Sequence, residues 1–518
     1  MSTTTYAESS AEALPEVQPE PVSDRQRRLV RPMPDDIVMG WLGPLGVTLL
    51  AALLRIWRLS VPGKQAFDEV YYACDANSLL RHGVEVQHLD IKQGFCVETN
   101  GPSFIVHPHL GKWFIGIGER LFGFNSFGWR ISSAIVGTIM VLILCRLGRR
   151  LFRSTLLGCL AGLLLTFDGL HFVQSRMAML DIFVAFWVLA AVACLVVDRD
   201  DARRRLADRI GDGPVTFPGP KLGFRWWRLA AGVCLGAGLA SKWSALYFVA
   251  IGLLLSLLWD VGARRTAGIP APVRATLWRE ALPLVGLLIA LPGVLYVVSW
   301  AGWFASSDGW DRHWAHGNGL WATWRGWWHY QYEIYHFHAT LKAPHSYQSH
   351  PWGWLFLARP VSYWYTSPQM GQLGCTVPQC SKEVLGIGTP AIWWASVVAL
   401  GAMIWRWVSR RDWRASFILL CFAAAYLPWF RDDLHQRTMF LFYALPAVPF
   451  MCLALAMCCG WAIGGRDASR DRRRWGAIAV GIYLVVVIVN FAGLYPILAA
   501  KVIPYDSWHK RMWFSSWI

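Results

Sequence analysis

The chain alternates long apolar runs with short polar connections, and the runs recur from residue 39 almost to the end. Many extend for roughly 17 to 25 residues, enough to cross a hydrocarbon core at about 1.5 Å per residue. They fall at 39–57, 129–147, 175–197, 281–299, 387–407, 415–429 and 438–460, with a shorter one at 155–167 and a last one ending near Tyr495. The block at 226–259 is too long for one crossing. Its polar centre, Ser241-Lys242-Trp243-Ser244, predicts two helices that turn there.

Arginines cluster in alternate connections: Arg149, Arg150 and Arg153; Arg203, Arg204 and Arg205; Arg264 and Arg265; Arg410, Arg411 and Arg414; Arg472, Arg473 and Arg474. Such alternation is what the positive-inside rule produces, and it predicts an all-α integral protein of the cell membrane with about eleven spans. Arg25, Arg27, Arg28 and Arg31 precede the first span and place the N-terminus in the cytoplasm. The polar residues 1–36 read as a disordered cytoplasmic tail, lacking the basic-then-apolar order of a signal peptide. A membrane module follows over 37–300, with a first outer loop at 60–126 in which residues 113–124 form an amphipathic, interfacial segment. A second outer loop occupies 301–386, membrane helices 387–497, and an extracytoplasmic tail 498–518.

Composition agrees with this: of 518 residues 55% are hydrophobic and 16% charged. The net charge of +16 would suggest nucleic acid on a soluble domain, but it resides in the arginine connections, so that class is set aside. Most of the 32 tryptophans are interface anchors. Most of the 12 cysteines lie in apolar runs. Cys74 and Cys96 in the first outer loop, and Cys375 and Cys380 in the second, leave disulfides on an oxidising face open. Asp198-Arg199-Asp200 mimics the Asp-x-Asp of nucleotide-sugar enzymes, yet in a basic inner connection it reads as a solvated helix end.

With these spans, the unusual polar groups gather on the outer side: Asp68 and Glu69, His107 to Lys112, Arg130, Arg176, Asp181, Lys242, His350 to Arg359, and Arg431 to Arg437. Adjacent carboxylates at the end of a membrane helix are costly without water, a partner or a task. Carboxylates with cations suit a reaction that takes a proton from an acceptor hydroxyl and releases an anionic phosphate. His107 and His109 invite a metal, but Pro108 between them favours a structural turn, and no metal is expected.

The chain resembles the protein O-mannosyltransferases, particularly the bacterial type. The resemblance rests on Phe67-Asp68-Glu69, His107-Pro108-His109-Leu110-Gly111-Lys112, Ser175-Arg176 with Leu180-Asp181, and Ser241-Lys242-Trp243-Ser244. Tyr335-His336-Phe337, His350-Pro351-Trp352 with Arg359-Pro360, and Arg437-Thr438-Met439-Phe440-Leu441-Phe442-Tyr443 continue it in the family's order. His109 stands where the family usually has a second proline, and the second outer loop is too short for the globular module of eukaryotic members.

The resemblance implies a lipid-donor glycosyltransferase (GT-C) fold with an outward catalytic cavity. It further implies inverting transfer of mannose from polyprenyl-phosphate mannose to Ser or Thr hydroxyls of exported proteins; no cofactor is expected, although related lipid-donor transferases can depend on a divalent metal. By position, Asp68 would be the general base and Glu69 would orient the acceptor or the neighbouring loop. Arg130 and Lys242, with Lys112 and Arg176, would hold the donor phosphate. His107, Asp181, His350, Trp352, Arg359 and Arg437 would contact substrate. An outer site also suggests acceptors fed by the export machinery. Two rival readings are a transferase of another polyprenyl-linked sugar onto glycan or lipid, and a transporter. Charge confined to one face and the lack of internal repeats disfavour the transporter.

Overall fold

The computed structural model describes residues 23–89, 96–211, 213–317, 319–465 and 467–518. The part of the predicted tail at residues 1–22 lies outside them. Nine helices among the described residues are long and apolar enough to cross a membrane: Met39–Ile56, Gly128–Phe152, Leu180–Ile210, Trp243–Ala267, Pro272–Val298, Pro390–Arg410, Trp413–Leu434, Leu441–Ile463 and Arg470–Leu498. The shorter apolar helices Thr155–Thr166 and Trp226–Leu239 complete the set, so every predicted run falls on a helix. The break at Ser241 to Ser244 is real: one helix ends at Leu239, and a short 3-10 turn, Trp243–Ala245, starts the next.

The Leu441–Ile463 helix is the axis of the bundle, with 94% of its apolar window buried, whereas only 17% is buried on Pro272–Val298 and on Arg470–Leu498. Apolar side chains left outward on such helices suit lipid rather than water. Glycines permit the tightest approach near the site. A Cβ on Gly118 would lie 2.3 Å from the Gly128 carbonyl oxygen, so the Leu110–Phe122 helix can lie against the Gly128–Phe152 helix only without one.

Two polar assemblies cap the end of the bundle where the Leu180 helix begins. In the first, the Glu69–His82 helix ends at Gly83, whose φ of +73° is the usual left-handed helix stop. An antiparallel hairpin, Val86–Leu89 with Val97–Pro102, and the Leu110–Phe122 helix follow, and Cys74 is disulfide-bonded to Cys96. The second contains the aromatic Leu320–Thr340 helix and a three-stranded sheet of Val361–Thr366, Cys380–Gly386 and Ile503–Pro504. Cys375 and Cys380 are bonded, and Trp508 donates to Glu383 at 2.6 Å, tying residues 503–517 to this assembly.

Three expectations are corrected at the other end. Residues 24–29 are helical rather than tail: Ser23 caps the helix and Leu29 is buried against Ala202 and Leu206. The Leu180 helix does not stop near Val197 but continues to Ile210, stitched by Asp201 to Arg204 at 3.1 Å and to Arg205 at 2.7 Å, one helical turn apart. Asp198 is no solvated helix end. It is buried in a balanced cluster of three arginines and three carboxylates, with Arg225–Asp198 at 2.5 Å, Arg228–Asp260 at 2.6 Å and Arg264–Glu280 at 3.0 Å.

Candidate active site

The two adjacent carboxylates have different environments. Phe67 sits at φ +53°, a left-handed conformation that bulky residues seldom adopt, and its ring meets His345, Tyr363, Phe440 and Phe442 edge-on. That aromatic cage fixes the turn from which the Glu69–His82 helix starts. Glu69 is fully buried and accepts four hydrogen bonds: Arg130 Nε at 2.7 Å, Arg130 Nη2 at 2.7 Å, Ala66 N–H at 3.0 Å and Ala178 N–H at 2.8 Å. Arg130 is also fully buried, and its remaining N–H groups go to the carbonyls of Leu59, Pro62 and Lys64. The pair ties together the first-loop turn, the Gly128–Phe152 helix and the segment before the Leu180 helix.

Asp68 is only half-buried. Burial, opposed by the Lys242 ammonium and reinforced by the Asp181 carboxylate, pushes its carboxyl up to about 7; Tyr72, one turn along the helix, holds it down slightly. Lys242 donates to both oxygens of Asp181, at 2.9 and 3.0 Å, and lies 4.7 Å from the centre of the Tyr443 ring. The Arg437 guanidinium approaches the same ring at 5.8 Å. Arg437 also holds Asp432 at 2.7 Å and His338 Nδ1 at 3.2 Å. His338 in turn stacks on His107, ring centres 5.0 Å apart. Burial and the neighbouring cations keep both imidazoles neutral, His338 pushed down to about 4 and His107 well below its ordinary value. Val184, Val188, Phe248, Ala424 and Trp429 pack closely beside Tyr443 around a void of only about 10 Å³.

The other predicted cations are committed elsewhere. Lys112 pairs with Asp75 at 2.8 Å and Glu85 at 3.1 Å, and His109 holds the second Glu85 oxygen at 3.1 Å. Against the cost of burial, contacts with His109 and Lys112 bring the Glu85 carboxyl down to about 2. The His107 to Lys112 motif is thus largely a buried clasp on the first assembly, and His109 occupies the family's proline position as one of its jaws. Arg176 donates to the carbonyls of Leu54, Arg55, Trp57 and Arg58, neutralising the C-terminal end of the first membrane helix. Of the residues expected to contact substrate, His350 meets Asp433 at 2.5 Å, Trp352 is exposed beside Phe430, and Arg359 holds main-chain oxygens of Ser346, Ser516 and Ile518. A cavity of about 260 Å³ connects His350 with Arg437.

Sequence reasoning missed Tyr72, Glu85, His338 and Tyr443. Tyr72 follows Asp68 by four residues, a helical spacing that could have flagged it. Glu85 and His338 carry no local signal, since their roles come from tertiary contacts. Among the described residues no group of three or more His, Cys, Asp or Glu side chains is placed to hold a metal.

Residues 46–302 match the family model for dolichyl-phosphate-mannose-protein mannosyltransferase, and residues 323–517 match that for the C-terminal four-transmembrane region of protein-O-mannosyltransferase. The chain belongs to the protein O-mannosyltransferase family. It is similar to the polyprenol-phosphate-mannose–protein mannosyltransferase of Mycolicibacterium smegmatis strain MKD8, 39% identical over 510 residues that cover 94% of this chain and 96% of that protein. The Mycobacterium tuberculosis H37Rv protein of the same name is 38% identical over 502 residues, 93% of each chain. The Saccharomyces cerevisiae protein O-mannosyltransferase Pmt1-Pmt2 complex bound to the sugar donor contains a chain that superposes with a TM-score of 0.71 and 14% identity, covering 95% of this chain and 94% of that one. The fold is therefore that of a GT-C glycosyltransferase, and the protein is a multi-pass membrane transferase of mannose to protein.

Proposed function

We propose that the protein transfers mannose from polyprenyl-phosphate mannose to Ser or Thr hydroxyls of exported proteins at the outer membrane face, with Asp68 as general base. The observation that carries this reading is the division between neighbours: Glu69 is saturated and fully enclosed, whereas Asp68 keeps partial exposure beside Lys242. A base must reach the acceptor oxygen and titrate near the working pH; the partial exposure of Asp68 leaves room for the first, and its carboxyl, pushed up to about 7, fits the second.

In the proposed step the acceptor oxygen bonds to the anomeric carbon as the bond from that carbon to the phosphate oxygen breaks. The hydroxyl proton passes to Asp68 and polyprenyl phosphate leaves, so a single displacement inverts the anomer. Lys242 and Arg437, converging on Tyr443, neutralise the departing phosphate. Arg130, expected at the phosphate, serves instead through Glu69 by holding the turn that presents Asp68; Lys112 and Arg176 likewise act on the scaffold. The orientation is supported by the arginines at the bundle end opposite Asp68.

The test is transfer of labelled mannose from polyprenyl-phosphate mannose to a Ser/Thr-rich peptide by purified protein. Transfer with inversion, lost in Asp68→Asn while donor binding persists, is the expected result. A folded, donor-binding parent that transfers nothing would require another sugar or acceptor. Labelling of single cysteines at residues 64 and 473 in intact cells tests the orientation: only residue 64 should react from outside.

A further inference from the structure

Among the described residues, a concentration of arginine with few carboxylates to meet it lies far from Asp68. A cavity of about 460 Å³ is enclosed between the start of the described chain and the ends of the Gly128 and Leu180 helices. Eight of its fifteen lining residues are arginines, among them Arg28, Arg31, Arg153, Arg199 and Arg203, and one, Asp200, is a carboxylate. Asp200 is shared by Arg150 at 3.2 Å, Arg153 at 2.9 Å and Arg199 at 2.8 Å, so it cannot neutralise them all. Arg199 lies 3.6 Å from the centre of the Trp413 ring, and its buried Nε has no hydrogen-bond partner. The nearby cluster of Arg225, Arg228 and Arg264 is balanced one for one by Asp198, Asp260 and Glu280. Asp201 meets Arg204 at 3.1 Å and Asp412 meets Arg414 at 2.6 Å, but among the described residues no carboxylate pairs with Arg28, Arg31 or Arg203.

A second cavity of about 1010 Å³ adjoins the first, the two sharing Arg153 and Arg414. Its walls join the apolar Phe152, Leu156, Trp405, Met457 and Trp461 to the charged Asp35, Asp36, Arg406 and Arg472, Asp36 being held by Arg149 at 2.7 Å, and the exposed Leu156 and Trp405 open it toward the lipid-facing flank of the bundle. A basic pocket continuous with an apolar cleft at a membrane surface is the shape of an amphiphile with an anionic phosphate head. Arg199 stands 18 residues beyond Asp181 on one continuous helix, roughly 27 Å at 1.5 Å per residue, so this is not the catalytic phosphate site.

We infer that the arginine pocket binds the phosphate headgroup of an anionic phospholipid from the leaflet at the arginine-rich end, its acyl chain lying in the Leu156–Trp405 cleft. Neither the reaction nor its acceptor enters this inference. The headgroup phosphate takes the charge that Asp200 leaves unmet, and Arg28 and Arg31 close over it from the N-terminal segment.

The full chain is placed in phosphatidylcholine nanodiscs and titrated with phosphatidylglycerol, and lipid retention is read by native mass spectrometry. Phosphatidylglycerol should be retained over phosphatidylcholine. The double variant Arg28→Gln/Arg31→Gln should weaken retention roughly thirtyfold, from two basic contacts at a membrane surface. Leu156→Gln should weaken it severalfold, and the control Arg473→Gln/Arg474→Gln should leave it unchanged. Equal retention of the two lipids, or retention indifferent to Arg28 and Arg31, overturns the site. Displacement by inorganic phosphate together with indifference to Leu156→Gln overturns the lipid and leaves a soluble anion. Unchanged donor binding at the distant site shows that each variant is folded.

Discussion

Glu69→Gln separates scaffold from chemistry. The amide keeps the shape of the carboxylate but only one of its two acceptors. Each Glu69 oxygen takes one Arg130 N–H and one backbone N–H, so either amide orientation sets an NH2 group against a guanidinium N–H and a main-chain N–H. The Arg130 charge, with no solvent exposure, also loses its counter-ion. Breaking a buried ion pair from one side costs about 3–5 kcal/mol, and two stranded donors at about 1–3 kcal/mol each lead to the same range. Asp68→Asn removes a carboxylate whose ionisation the fold opposes and should leave stability at neutral pH equal or raised, while transfer falls by roughly 10²–10⁴-fold with the loss of a base. Thermal unfolding of the purified variants in nanodiscs, beside single-turnover transfer, reads both effects. Combining Glu69→Gln with Arg130→Met should recover part of the lost stability. Parent-like unfolding of Glu69→Gln with a rate loss as deep as that of Asp68→Asn would place Glu69 in the chemistry and refute this division.

The remaining expectations concern charge at the open half of the site. The Asp68 carboxyl titrates near 7 and acts as its anion, so kcat/KM should rise with pH up to about 7 and then level; a flat profile between pH 5.5 and 8.5 would refute the base. Stability has the opposite sign. The folded carboxyl holds its proton between the ordinary 3.8 and about 7, so this group costs stability as pH rises through that window, and Asp68→Asn should flatten the slope in a pH series of unfolding temperatures. Transfer should persist in excess chelator, and recovery by an added divalent ion after its loss would overturn metal-free catalysis.

The helices were legible because twenty apolar residues in a row leave few alternatives. What escaped notice was set by partners. Asp68 and Glu69 look alike in sequence, and only Arg130, 61 residues away, makes one scaffold and leaves the other open. Arg176 was readable as a cation near the outer face, but its four carbonyl partners belong to the end of a helix about 120 residues earlier. The extension of the Leu180 helix past Val197 was hidden because its last turns are dense in charge, held by the Asp201 ion pairs around the few buried residues Ala202, Leu206 and Ala207. His107 and Arg437 were found as separate motifs, yet the histidine that joins them, His338, follows Tyr335-His336-Phe337 by one residue and has no sequence mark of its own.

Asp68, Asp181 and Lys242 form an electrostatic triad whose members can be removed one at a time. Lys242 favours the Asp68 anion, and Asp181 opposes it while holding Lys242 through both oxygens. Lys242→Met removes the favourable charge and leaves two carboxylates facing each other, so the acid limb of kcat/KM should move to higher pH and donor KM should rise. Asp181→Asn removes the like charge and frees the ammonium, so the limb should move to lower pH. Opposite displacements cannot arise from general damage to the fold, which would lower the plateau of both variants without moving their limbs apart. If both limbs move the same way, the triad is not what tunes the base, and the titration near 7 would have to come from burial of Asp68 alone.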